Sequence, residues 1–113
     1  MLKSIFLLLI AVLFIAGCAS TEALDGVKRE PKRQIDIYSD GKTPTKPFKL
    51  IYMFSERDDP EKEAEHHRNF INRAKNMGAD GIILRPNEPA GQSFGPFGMH
   101  QNFIFKAEAI VYE

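Results

Sequence analysis

Three consecutive pieces decide the fold: Phe48-Lys49-Leu50-Ile51-Tyr52-Met53-Phe54-Ser55, then Asp58-Asp59-Pro60-Glu61 leading into residues 62–77, then Gly78-Ala79-Asp80-Gly81-Ile82-Ile83-Leu84. In the first, Phe48, Leu50, Tyr52 and Phe54 alternate with Ile51 and Met53. Both faces are apolar, which predicts a central strand covered on at least one side. Asp58 and Asp59 are read as an N-terminal cap, with Pro60 suited to the first helical position and Glu61 and Glu63 near the positive end of the helix dipole. Ala64, His67, Phe70, Ile71, Ala74 and Met77 recur at spacings of three and four, so they form the inward stripe, and His66 falls on the solvated side. Gly78 ends the helix, because only glycine takes a left-handed cap without steric cost. Residues 81–85 then enter a buried strand, which predicts a crossover that sets the two strands parallel in one sheet.

Outward from this unit, Gln34-Ile35-Asp36-Ile37-Tyr38 alternates as a short strand, and Pro44 and Pro47 keep residues 42–47 out of helix and central strand. Residues 102–112 carry Phe103, Phe105, Ala107, Ala109 and Val111 on one face, where the two alanines let a helix approach closely. Residues 86–101 read as a long loop, with three prolines and three glycines around Phe94, Phe97 and Met99. The expected fold is α+β: a two-layer ββαββ sandwich, a small mixed sheet with one helix packed on one face. The loop has two expected roles, a partner-binding tip built on Phe94, Phe97 and Met99, or a cap folded over the open end of the sheet.

The chain has 113 residues and a formal net charge of zero, so there is room for one domain and no global field for nucleic acid. Its start is different in kind. Met1-Leu2-Lys3 precedes an apolar run, residues 5–16, that matches a signal-peptide core and falls short of the roughly 20 residues a spanning helix needs. The run closes in Phe14-Ile15-Ala16-Gly17-Cys18, and Cys18 is the only cysteine. This arrangement resembles the lipobox of bacterial lipoproteins, with isoleucine where leucine is commoner. The resemblance implies cleavage after Gly17, acyl and diacylglyceryl groups on Cys18, and a stable anchor in membrane lipid. Ala19-Ser20, with no aspartate after the cysteine, implies the outer membrane and a periplasm-facing domain. Residues 1–17 are thus expected as signal peptide, 18–33 as lipidated N-terminus and flexible, solvated linker, and 34–113 as the domain.

A second resemblance rests on Ile37-Tyr38, on Pro44-Thr45-Lys46-Pro47-Phe48-Lys49, and on residues 74–84. These are similar to the signalling domain of the Rcs-type outer-membrane stress-sensor lipoprotein and related small envelope proteins. Over the helix end and the next strand alone, they are also similar to a family of small domains assigned to metal binding. The disulfides of the Rcs-type domain have no counterpart here, since Cys18 is the only thiol.

Catalytic motifs are missing from the sequence: there is no phosphate-cradling glycine loop before a helix and no nucleophile elbow. The sequence therefore implies no enzyme and no cofactor. His66 and His67 are adjacent and point about 100° apart on a regular helix, so one ion cannot meet both. Glu63 and His67, four residues apart, form a two-ligand half-site that His100 would have to complete. The expected function is a non-catalytic binding, sensing or structural module with an envelope protein partner. The alternative is a small ligand-binding or metal-binding lipoprotein.

Overall fold

The computed structural model describes residues 22–96 and 98–113. The expected signal peptide, Cys18 and Phe97 lie outside the described residues. The elements are β1 (Asp36–Tyr38), β2 (Phe48–Asp58), a 3-10 turn (Pro60–Lys62), α1 (Glu63–Asn76), β3 (Gly81–Leu84), β4 (Glu88–Gly95) and β5 (Gly98–Tyr112). The fold is α+β, one helix on one face of a mixed sheet. The strand order is β1-β3-β5-β2, with β4 also paired to β5.

Helix boundaries follow the local rules. Pro60 opens the 3-10 turn after Asp59, although the Asp59 side chain makes no capping bond. At the other end Gly78 takes φ +78, its N–H donates to the Lys75 carbonyl, and the Ala79 N–H donates to the Ala74 carbonyl. That pair of bonds is the Schellman closure, and it requires the left-handed residue. Phe70, Ala74 and Met77 are buried as the stripe predicts, whereas Ala64 is exposed in the first turn. Beneath α1 lie Ala107 and Ala109, both fully buried, with Ile51, Phe54, Ile82 and Phe105 around them. The Phe54 and Phe70 rings stack at 5.2 Å.

β2 departs from its expected place. It is an edge strand, and β5 occupies the centre between β2 and β3. β2 and β3 each run antiparallel to β5, so they are parallel to one another, as expected, but separated by one strand. A bulge between Leu50 and Tyr52 also splits the alternation. Phe48 and Leu50 share a face with Tyr112 and Ile110, away from α1, whereas Tyr52 and Phe54 share the helix face with Ala109 and Ala107. The bulged Ile51 reaches the core and is fully buried. An inserted residue reverses the faces downstream of it, which period-two reading does not detect.

The stretch expected as a solvated linker is docked. Ala23 is buried in the core, and the Leu24 N–H donates to the Ile51 carbonyl at 2.7 Å, covering the bulged edge. Farther on, the Lys32 N–H donates to the Lys75 carbonyl at 2.9 Å, and Lys32 pairs with Asp80. Gly78 lies against this strap: a Cβ there would stand 2.6 Å from the Glu30 carbonyl oxygen.

Residues 86–101 are a further correction, because most of them form strands. β4 pairs antiparallel with β5 from Glu88↔Ile104 to Gly95↔Gly98. Pro89 is tolerated because β4 is an outer strand, and the bulge between Pro89 and Gly91 takes up the irregularity, with Gly91 at φ +100.

Candidate functional site

β5 has 15 residues, more than the sheet body uses. Its pairing with β2 ends at Asp58↔Phe103, and its pairing with β3 lies at Leu84↔Ala107 and beyond. In the sheet, residues 98–102 are therefore laddered to β4 alone, as a two-stranded ribbon. Phe94 and Met99 stand opposite one another in register near its tip and are 85% and 59% exposed. Alternation along β5 sets Met99 on the face of Phe103 and Phe105, with Gln101 between, so this face of the strand runs on past the helix into water and carries an apolar side chain again at Met99. Phe94 stands in solvent instead of folding back onto the sheet, while Phe97, which shared the expected capping role, is outside the described residues. Gly95 and Gly98 flank the connection, Gly98 at φ +114, which a side chain rarely adopts.

At the root of the ribbon, Asp58 and His66 form a pair that the sequence pattern had assigned to a cap and to solvent. The Asp58 carboxylate accepts from the Asp59 N–H at 2.7 Å and meets His66 Nε2 at 2.7 Å. The His66 ring stacks on Phe105 at 5.3 Å and is half-buried, not solvated. The hydrogen bond from His66, followed by that from the Asp59 N–H, holds the Asp58 carboxyl below its ordinary pKa. His67 lies at the helix-sheet boundary, as expected, its ring edge-on to Phe105 and its Nδ1 4.0 Å from Glu63. His100 is on β5, in register with Ser93. Among the described residues, no group of three or more His, Cys, Asp or Glu side chains is placed to hold a metal ion.

On the face away from α1, a groove of about 330 Å³ is lined by Met53, Arg85, Pro86, Glu88, Lys106 and Glu108. Its charges are matched internally. Arg85 donates two bonds to Glu108, at 2.9 and 2.8 Å, and Lys106 meets Glu88 at 3.0 Å. Below it, the Tyr38 and Tyr112 hydroxyls are 2.6 Å apart, Tyr112 donates to Asp36, and Lys46 lies 4.3 Å over the Tyr112 ring. Burial first, then the bond to Asp36, pushes the Tyr112 hydroxyl pKa up. This cluster ties β1 to the end of β5. Sequence reading missed it because Asp36 and Tyr112 are 76 positions apart.

Comparison of the chain with protein-family models, with curated proteins and with solved structures found no match in any of the three. The functional reading therefore rests on the residues themselves.

Proposed function

We propose that this protein is a lipid-anchored, non-catalytic binding module of the cell envelope, held in the outer membrane through Cys18 and presenting the tip of the β4-β5 ribbon to a periplasmic or membrane protein. The observation that carries the reading is the exposed Phe94 and Met99 pair on a ribbon rooted in the sheet. Affinity between proteins concentrates in a few aromatic and apolar anchors that become fully desolvated. A ribbon that continues the central strand holds such anchors in place before binding, which lowers the ordering cost of association. The lipobox-like sequence at Cys18 supports the anchor.

Two measurements test the reading together. Mass spectrometry of the membrane form should find an acylated Cys18 as first residue, and Cys18→Ala should leave the unprocessed precursor. A photoreactive phenylalanine analogue at Phe94 should then yield one discrete envelope adduct that the same group at the exposed Arg68 on α1 does not. An intact Met1 on the membrane form would reject the anchor. Identical adducts from both positions would reject the tip.

A further inference from the structure

A second exposed apolar feature lies in the docked N-terminal strap. The Gly26 N–H donates to the Ala23 carbonyl at 3.0 Å, closing a turn with Leu24 and Asp25 at its centre. The turn is held from three sides. Ala23 is buried in the core, Leu24 is bonded through its backbone to Ile51, and the Asp25 carboxylate accepts from Arg29 at 2.6 Å and Lys49 at 3.1 Å. Outward, the turn and the residue after it present two large apolar side chains, Leu24 at 67% and Val27 at 52% exposure. Turn centres ordinarily carry Gly, Pro, Asn, Asp or Ser. The acid between the two apolar residues has its charge matched by Arg29 and Lys49, and the exposed charges beside the patch are of both signs, Lys28 against Glu22 and Glu30. An apolar patch held rigidly this close to a lipidated residue suits a lipid interface through its apolar side chains.

Chain length places this patch. Ala23 is five residues after Cys18, and five residues reach at most about 17 Å even when fully extended. We infer that turn 23–26 with Val27 is a foot seated on the phospholipid bilayer, its Leu24 and Val27 side chains entering the headgroup boundary. The inference rests on the lipid-anchor reading above. The domain then stands on the membrane instead of swinging from a tether. The bulge that holds Leu24 lies beside Ala109 of β5, and Met99 is ten residues away along that strand. At strand rise this separates foot from ribbon tip by about 33 Å.

The test uses the full acylated protein in vesicles of phosphatidylethanolamine and phosphatidylglycerol. Acylation occupies the only native cysteine, so Leu24→Cys, Val27→Cys or Phe94→Cys each adds one free thiol for an environment-sensitive fluorophore. Labels at 24 and 27 should shift to the blue, be quenched by headgroup-region nitroxide lipids and escape aqueous iodide, while the label at 94 should remain open to iodide. With acylation of Cys18 confirmed by mass, iodide quenching at 24 equal to that at 94 would overturn the foot and leave the anchor standing. A blue shift at 94 in place of 24 would also overturn it, by putting the ribbon tip in the bilayer. A membrane form without acyl groups on Cys18 would overturn the anchor reading, and the foot with it.

Discussion

One strand, β5, passes through two environments. From Phe103 to Tyr112 it is flanked by β2, with β3 on its other edge at Leu84↔Ala107 and beyond, and α1 covers its alanine face. Across residues 98–102 it has β4 alone. Phe105, Ala107 and Ala109 are fully buried in the first part, and Met99 is 59% exposed in the second, although the pleat is continuous between them. Met99 thus lies on the same pleat face as Phe103 and Phe105, with the polar Gln101 between them. What differs is the presence of a covering layer, and burial, not alternation, sets the energetic weight of a residue.

Four changes break or sharpen this contrast, in falling order of effect. Phe70→Ala removes the ring that stacks on Phe54 beneath the helix, and should cost about 3–5 kcal/mol in chemical denaturation. A loss under about 1 kcal/mol would mean that the helix layer does not dominate the body. Gly78→Ala forces a side chain into a left-handed conformation and against the strap at Glu30. It should cost about 1–3 kcal/mol and make residues 22–33 more open to limited proteolysis. Unchanged stability would show that the strap yields freely.

The third change concerns the border itself, since Asp58 and Phe103 form the last rung shared with β2. The Asp58 carboxyl is depressed by His66 and by the Asp59 N–H. A carboxyl lowered by folding stabilises the fold above its ordinary pKa of about 3.9, and that contribution is lost as pH falls through the lower folded value. Asp58→Asn should therefore flatten the decline of the urea midpoint below about pH 4. An unaltered acid profile would remove the pair from the account. The smallest effect belongs to the ribbon tip. Phe94→Ser with Met99→Ser should move the unfolding free energy by no more than about 0.5 kcal/mol while abolishing pull-down of the partner that the crosslink at Phe94 identifies. A lowered midpoint with dye binding would mean that the tip packs on the body after all.

Much of the body was legible in the sequence because its rules are local. Pro60 and Gly78 bound the helical segment, the spacing of Phe70 and Ala74 faces it inward, and the alanines of β5 admit it closely. The ribbon was hidden by its composition. Pro89, Gly91, Gly95 and Gly98 read as loop, yet an outer strand dispenses with one donor at proline and accommodates glycine at a bulge and at a turn. Within the candidate site, Phe94 and Met99 could be named from sequence, but not their pairing across the ladder.

The sequence by itself determined the α+β class, the helix and its glycine end, the strands read at 81–85 and 102–112, and the apolar start closing at Cys18. Tertiary structure decided that β5 takes the centre and β2 the edge, that Ile51 bulges into the core, that the strap docks from Ala23, and that His66 meets Asp58. The physical reason is range. Caps, helical stripes and strand alternation are set by neighbours within a turn or two, whereas strand order, bulges and strap docking are settled by which distant surfaces bury one another best.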